Sequence, residues 1–264
     1  MSKSMLIKIL TGIALIAAVV PCFYFGGYFL QGLALAFAFL AAYETAGLFH
    51  FVNRWFMTGI LFLVMAAVFY LPTKYFLVIT SIFIVILFVI ELLGKTESSQ
   101  FVSFTFLIVM MIGLALDCLN LVYKNGGKQG FPIIIYVALA CYVCDTMAYF
   151  TGIFFGKHKM IPHISPNKTW EGAAGGYFFA LLVSMVYGLS YTELPRGLVV
   201  AGSCILPACA QIGDLAFSSI KRHFKIKDFG SVFPGHGGAL DRIDSLIFCL
   251  MVFHALMIIW GLNG

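Results

Sequence analysis

Residues 75 to 93 have the sequence YFLVITSIFIVILFVIELL, in which Glu91 is the only charged residue. A helix of about 20 apolar residues is long enough to cross the hydrocarbon core of a bilayer. The stretch does not alternate strictly between apolar and polar residues, as the strands of a membrane barrel do, and only helices or closed barrels satisfy their backbone groups in lipid. The sequence therefore predicts an all-α integral membrane protein.

Similar runs recur along the whole chain. Of the 264 residues, 62% are apolar and 10% are charged, and the mean hydropathy is +1.01, whereas about 25% of residues are charged in soluble domains. We predict a polytopic bundle of about nine transmembrane helices in one membrane domain, 1–264, with N-terminal helices in 1–130 and catalytic helices in 131–264. The predicted helices lie near 5–23, 28–49, 55–71, 75–93, 101–122, 131–155, 172–190, 197–217 and 245–262.

The distribution of Lys and Arg predicts the orientation. With nine spans, twelve of the sixteen Lys and Arg residues lie on the side of the N-terminus, and an excess of positive charge marks the cytoplasmic side. The N-terminus and two charge-rich loops, 156–171 and 218–244, are therefore predicted to be cytoplasmic and able to build one site. The net charge is +5, and the basic residues flank membrane segments, where anionic lipid headgroups attract them. We therefore predict membrane lipids as partners of these residues, and no nucleic acid.

Three carboxylates flank the second of these loops. Asp214 is predicted to end one span, and Asp241 and Asp244 to open the next, on one face if that stretch is helical. Converging carboxylates repel unless a cation neutralises them, and oxygen ligands suit Mg²⁺, so we predict a metal site. The alternative is that Asp241 and Asp244 cap the helix and pair with Arg242 or Lys227.

The same loop carries glycines and basic residues that suit a polyphosphate. Backbone N–H groups near Gly237 and Gly238 can approach a phosphate closely, since glycine has no Cβ, and cationic side chains would neutralise its charge. Alternatively, the loop is a flexible turn beside a basic stripe on anionic lipid. His236 by itself does not identify a general base. The basic residues of this predicted polyphosphate-binding site are Lys221, Arg222 and Lys227.

The first loop contains SPNKTWEG, residues 165 to 172. Ser165 is predicted to cap a helix that has Pro166 at its first position. Lys168 exceeds what a helix start requires and could hold a phosphate, or its side chain could extend to the lipid headgroups. Gly172 and Gly176 form a GxxxG pattern typical of helix packing.

An ionisable residue lies inside a predicted span at Asp145, where its cost in hydrocarbon favours a functional role. Tyr149, Gly152 and Gly156 follow on the same helical face, which is predicted to face the site. The other acidic residues in or near spans have no assigned role; they are Glu44, Glu91 and Asp117.

The run from Ser218 to Asp244 closely resembles the signature of phosphatidate cytidylyltransferases, also called CDP-diacylglycerol synthases. Its parts are Ser-x-x-Lys-Arg, then Lys-Asp, then His-Gly-Gly-x-x-Asp-Arg-x-Asp. The segment from Asp145 to Gly172 is similar to the upstream motif of the same family, whereas the first 130 residues match only as a series of spans. Ala239 departs from the larger aliphatic residue that the family usually has there.

The resemblance implies transfer of CMP from CTP to phosphatidic acid, with release of pyrophosphate. It also implies Mg²⁺, allows a second cation such as K⁺, and suggests a homodimer. Carried over by position, the catalytic residues are Lys227, His236 and Arg242, and the metal ligands are Asp214, Asp241 and Asp244. The substrate-binding residues are Asp145, Tyr149, Ser165, Asn167, Lys168, Thr169, Glu171, Ser218, Lys221, Arg222, Gly237 and Gly238.

Two other functions compete with this one. A lipid-alcohol kinase of the polyprenol type also uses CTP but does not need the His-Gly-Gly-x-x-Asp-Arg-x-Asp run. A small transporter would explain Asp145 and Asp117 as carriers of protons or ions. Transporters are often built from repeated halves, and no repeat is apparent in this sequence.

Overall fold

The computed structural model describes residues 3–49, 51–94, 100–235 and 237–262. The predicted all-α class is confirmed, since helices dominate this part of the chain and one two-stranded hairpin accompanies them. The helices are α1 Lys3–Phe25, α2 Gly27–Ala46, α3 Arg54–Tyr70, α4 Phe76–Leu93, α5 Gln100–Gly126, α6 Gly130–Phe155, α7 Trp170–Tyr191, α8 Arg196–His223 and α9 Leu240–Ile259. The strands are β1 Lys159–Ile161 and β2 Ser165–Thr169.

Six helical stretches of the described chain are long and apolar enough to cross a membrane, so the predicted count of nine spans is not confirmed. One of them, Gln100–Phe155, contains both α5 and α6, joined by a 3₁₀ turn in which Gly127 has φ +52°. Two further apolar helices, Leu10–Phe25 and Arg54–Tyr70, are shorter. The six stretches are Gly27–Ala46, Thr73–Leu93, Gln100–Phe155, Trp170–Tyr191, Arg196–His223 and Leu240–Ile259.

The chain divides into two compact units. The first, unit 1, comprises Met1–Asn120 and Asp228–Arg242, and the second, unit 2, comprises Leu121–Lys227 and Ile243–Gly264. The division near residue 120 lies ten residues before the predicted boundary between N-terminal and catalytic helices, and the segment Asp228–Arg242 returns to unit 1.

In unit 1, α2 packs on α3 through small residues. Ala38, Ala41 and Ala42 of α2 are buried, as is Leu61 of α3. At the end of this pair, Arg54 lies 3.7 Å above the ring of Tyr43 and donates to the Tyr43 carbonyl at 3.1 Å. Small side chains bring the two backbones close together, and van der Waals packing then holds the helices in an apolar surrounding.

In unit 2, α6 and α7 are packed tightly along the predicted GxxxG pattern. A Cβ added at Gly172 would lie 2.7 Å from the Ala148 carbonyl oxygen, and one at Gly176 would lie 2.6 Å from that of Cys144. Neither position has room for a side chain, because the obstacle is helix backbone. The interpretation of this pattern as helix packing is therefore confirmed.

The predicted helix start at Ser165 is wrong. Ser165 and Pro166 begin β2, which pairs antiparallel with β1, and α7 begins only at Trp170. Thr169 is the actual N-cap, since its hydroxyl accepts the Gly172 N–H at 3.1 Å. An N-cap hydroxyl satisfies one of the four N–H groups that a helix leaves open.

Candidate active site

A cavity of about 560 Å³ lies in unit 2, where the hairpin meets α6, α7 and α8. Its wall combines charged, amide and apolar side chains, as an amphipathic ligand would require. Three residues of the predicted helical face, Asp145, Tyr149 and Gly152, contribute to this wall, whereas Gly156 of the same face does not. The lining residues are Asp145, Ala148, Tyr149, Gly152, Ile153, Lys159, Met160, Asn167, Lys168, Thr169, Gly172, Ala173, Gln211, Asp214 and Leu215.

An ion pair joins the hairpin to α8 at the cavity wall. The Lys168 Nζ lies 2.6 Å from the Asp214 Oδ2, and both side chains are somewhat under one-third exposed. On the other side of the same carboxylate, Ser218 donates its hydroxyl to Oδ1 at 3.3 Å. Asp214 therefore contacts both Lys168 of the segment 156–171 and Ser218 at the start of the segment 218–244.

Two further carboxylates of unit 2 lie in the same region. Asp145 is close enough to Asp214, Asp244 and Lys168 for their charges to interact, and it hydrogen-bonds the Ser245 side chain. The Oδ1 of Asp244 accepts the Ser245 N–H at 2.8 Å. The charges of Asp214 and Asp244 thus both act on Asp145, and the mutual repulsion of neighbouring carboxylates favours any cation that comes near.

Lys221 supplies one such positive charge from the protein itself. Its side chain is buried, with 8% of the residue exposed, and its Nζ lies 3.9 Å from the Asp244 Oδ2. The helix does not end near residue 217 as predicted, because α8 continues to His223 and carries Ser218 and Lys221. Asp214, Ser218 and Lys221 follow one another at spacings of four and three residues, which places them on one face of α8.

Two residues that the sequence assigned to substrate binding hold the hairpin in place. Arg222 donates to the carbonyls of Ile164 at 3.1 Å and Ile226 at 2.9 Å. The Glu171 carboxylate accepts the backbone N–H groups of Lys157 and His158 and pairs with the His158 ring at 2.5 Å. The contacts of both side chains are therefore with protein groups that fix the loop.

A glycine-rich loop of unit 1 is held by two carboxylates. Glu44, in α2, is 1% exposed, and it accepts the N–H groups of Ala239 at 2.8 Å and Leu240 at 2.9 Å. The Oδ2 of Asp241 accepts the N–H groups of Phe229 at 2.8 Å and Gly238 at 3.0 Å. The sequence analysis assigned no role to Glu44. The signal that could have found this role is a carboxylate in an apolar helix, where its burial costs free energy unless it has partners.

This arrangement changes the interpretation of the glycines. Gly238 donates its N–H to Asp241 and lies against Glu44. In this conformation the amide stabilises the loop and is not available to bind a phosphate. Gly235 and Gly237 have φ values of 76° and 82°, which residues with a Cβ rarely adopt. His236, predicted to be catalytic, lies outside the described residues.

The remaining predicted residues lie at or near the surface of their units. Lys227, Arg242, Asn167 and Tyr149 are exposed, and of these Asn167 and Tyr149 line the cavity. Ser165 begins β2 and is half-buried. The structure therefore groups Asp145, Tyr149, Asn167, Lys168, Thr169 and Asp214 around one cavity, with Ser218, Lys221 and Asp244 beside it.

Within the described ranges, no group of three or more His, Cys, Asp or Glu side chains is arranged to hold a metal ion. Asp214 and Asp244 each face a lysine at the distances given above. The acidic residues do offer carboxylate oxygens, which are the donors that Mg²⁺ prefers.

The sequence profile of the cytidylyltransferase family matches residues 6–260. The chain belongs to this family. The match includes every residue singled out above, so the resemblance noted in the Ser218–Asp244 signature is confirmed at the level of the family.

Several bacterial proteins are similar to this cytidylyltransferase-family chain. The phosphatidate cytidylyltransferase of Staphylococcus aureus (strain COL) is 43% identical over 133 residues, or 50% of this chain and 51% of that protein. The Staphylococcus haemolyticus protein of the same name is 44% identical with the same coverage. The Bacillus subtilis one is 34% identical over 171 residues, or 64% of this chain and 63% of that protein. The chain thus spans about half the length of the staphylococcal relatives.

Proposed function

We propose that this protein transfers CMP from CTP to phosphatidic acid, forming CDP-diacylglycerol and pyrophosphate. The observation that carries the proposal is the cavity of unit 2, where Asp145, Lys168 and Asp214 stand among apolar helices of a cytidylyltransferase-family member. The names of the similar bacterial proteins support the same choice of substrates.

The cavity suits one polar and one amphipathic reactant. Lys159, Asn167 and Lys168 come from the polar hairpin, whereas Ile153 and Met160 add apolar surface. Tyr149 and Ile153 are 66% and 59% exposed, on a helix apolar enough to cross the membrane. A lipid phosphate could approach along these side chains while its acyl chains remain in the bilayer.

The proposed reaction is an in-line displacement at phosphorus. An oxygen of the lipid phosphate attacks the α-phosphorus of CTP, and the bond from that phosphorus to the bridging oxygen of the β-phosphate breaks. The electron pair leaves with pyrophosphate. Since the lipid phosphate is already an anion at neutral pH, the step requires little help from a general base, and positioning and charge neutralisation dominate.

The lysines of unit 2 would supply part of that neutralisation. Lys168 and Lys221 face carboxylates in the structure, so incoming phosphates would compete with Asp214 and Asp244 for the same ammonium groups. A buried ammonium interacts strongly with phosphate because little water screens it. Lys227, Arg242 and His236 remain proposed catalytic residues on the basis of the sequence signature.

Mg²⁺ belongs to the proposal as well. In nucleotide-dependent enzymes Mg²⁺ is usually held by one or two carboxylates together with substrate phosphates and water, and Asp214 and Asp244 fit that donor set. When bound, the ion would neutralise charge on the triphosphate and on the leaving pyrophosphate. Asp241 as a further ligand, and a second cation such as K⁺, stay sequence-based parts of the proposal.

We further propose that the protein resides in the cytoplasmic membrane with its N-terminus and site loops in the cytoplasm. The excess of Lys and Arg on that side supports this orientation, and CTP is a cytoplasmic metabolite. The proposed partners are CTP, phosphatidic acid and membrane lipids, with a homodimer as the proposed assembly.

The test uses detergent-purified full-length protein with phosphatidic acid, CTP and Mg²⁺. Label in the α-phosphate of CTP should enter the lipid, with one pyrophosphate released for each CMP transferred. Label in the γ-phosphate should appear only in pyrophosphate. Entry of γ-label into a polyprenol or another lipid alcohol would instead identify the kinase, and lack of transfer to phosphatidic acid would refute the proposal.

A further inference from the structure

Gln211 lines the cavity of unit 2 with its amide held in one orientation. Its Nε2 donates to the Ala173 carbonyl at 2.8 Å and to the Cys144 Sγ at 3.3 Å. The Ala173 carbonyl can only accept a hydrogen bond, so the amide nitrogen must be the atom that faces it. The oxygen Oε1 is thereby directed away from these two groups.

That oxygen is an available acceptor at the cavity. Within the described part of the chain, Oε1 makes no hydrogen bond, and the buried side-chain atoms without a partner there are the Thr105 Oγ1 and the Gln129 Oε1. Gln211 Oε1 is therefore accessible, and the residue belongs to the cavity wall. A fixed acceptor at a binding cavity indicates a ligand that brings a donor.

The chemistry of the two proposed substrates decides which of them can supply that donor. The phosphate dianion of phosphatidic acid, the form that dominates above a second pKa of about 6, offers phosphate and ester oxygens that only accept. CTP offers the exocyclic amino group of cytosine and the ribose hydroxyls. Gln211 precedes Asp214 by three residues on α8, a rise of about 4.5 Å, so it lies one turn from the proposed phosphate-binding end.

We propose that Gln211 determines nucleotide specificity by accepting a hydrogen bond from the nucleoside of CTP, either from the cytosine amino group or from the ribose 2′-hydroxyl. This inference rests on the proposed function and names the part of CTP that the cavity recognises. UTP carries a carbonyl in place of the amino group, so two acceptors, this carbonyl oxygen and the Gln211 Oε1, would face each other without a hydrogen bond. A site built to accept one hydrogen bond discriminates strongly against an analogue that lacks the donor.

The test compares kcat/KM for CTP, UTP and dCTP in the wild-type protein and in Gln211→Met, which has similar volume and no amide. The ratio between two nucleotides is measured on one sample, so it does not depend on how much of the variant is correctly folded. The matched control is Gln31→Met, which makes the same change in α2 at a residue that does not line the cavity.

A fall of about tenfold or more in the preference for CTP over UTP supports the amino group as the donor. The same fall for CTP over dCTP supports the 2′-hydroxyl. If Gln211→Met does not turn over, stabilisation of the variant against heat by each nucleotide gives the corresponding ratios.

Ratios within about twofold of wild type, or a wild-type protein that uses all three nucleotides equally, would overturn the inference while the proposed function stands. If the wild-type protein does not transfer CMP to phosphatidic acid, the proposed function is refuted, and this inference is refuted with it.

Discussion

Replacing Glu44 with Gln should loosen the glycine-rich loop of unit 1 without removing a group from the cavity of unit 2. The two carboxylate oxygens of Glu44 accept the N–H groups of Ala239 and Leu240 at 2.8 and 2.9 Å. In the variant, one of these N–H groups would face an amide nitrogen that is also a donor, while the other would keep a neutral acceptor.

The cost follows from these two changes. A buried N–H group that loses its partner costs about 1–3 kcal/mol, and a bond to a carboxylate is stronger than one to a neutral amide by about 1 kcal/mol. Since Glu44 is 1% exposed, water does not easily replace the lost acceptor. We expect the free energy of local opening at Ala239 and Leu240 to fall by about 2–4 kcal/mol.

The assay is hydrogen–deuterium exchange of purified protein, followed in peptides that cover residues 237–242. Each 1.4 kcal/mol is a factor of ten, so exchange of the two amides should accelerate by about 30- to 700-fold. Peptides from α3 report whether the remainder of unit 1 is intact. The matched control is Glu193→Gln, an exposed residue between α7 and α8.

Exchange within about threefold of wild type in Glu44→Gln would refute the reasoning, because the carboxylate would then not determine the stability of the loop. Equal acceleration in Glu193→Gln would also refute it, because the effect would not depend on the contacts of Glu44.

Three further predictions test other parts of the molecule. Asp214→Asn should abolish Mg²⁺-dependent incorporation of labelled CMP into lipid while the protein still inserts into membranes, and near-normal turnover would contradict a metal role for this carboxylate. Gly172→Val should lower the thermal unfolding temperature by several degrees, because its Cβ meets the backbone of α6, whereas Ala174→Val on the exposed side of α7 should have little effect. A cysteine at Asn167 or Ser231 should react with an impermeant maleimide only from the cytoplasmic side, and labelling from outside would reverse the proposed orientation.

The sequence predicted the helices well because their signal is strong and local. Long apolar runs such as 75–93 have few alternatives in a membrane protein, and α4 follows this run closely. The number of spans was harder to predict, since hydropathy does not show that α5 and α6 are linked by a turn of only three residues. Length also separates the shorter helix Arg54–Tyr70 from the stretches that qualify as spans.

The hairpin could not be predicted from local propensity. Ser165 followed by Pro166 is typical of a helix start, whereas strands are usually rich in β-branched and aromatic residues. The two strands of the hairpin are held in place instead by contacts from distant residues, such as the hydrogen bond that Arg222 donates to the Ile164 carbonyl. Tertiary hydrogen bonds of this kind leave no pattern in a single sequence.

The cavity residues divide in a similar way. Asp145 was predicted because an ionisable residue inside a span is unusual. Lys168 was predicted because a helix start does not require it, and Asp214 because it was expected to meet two other carboxylates. Gln211 was not, since a neutral amide in a helix carries no such signal, and its importance follows only from the partners of its Nε2.

The signature itself therefore mixes two kinds of residue. Gly238 and Asp241 form a hydrogen bond with each other, and Arg222 donates to two backbone carbonyls, so each contributes to the shape of a loop. Loss of activity in Asp241→Asn would follow from either a lost metal ligand or a loosened loop. The two explanations are distinguished by measuring hydrogen exchange at the Gly238 amide together with activity. If Asp241 is a metal ligand, turnover is lost while the amide remains protected. If Asp241 supports the loop, turnover and protection are lost together.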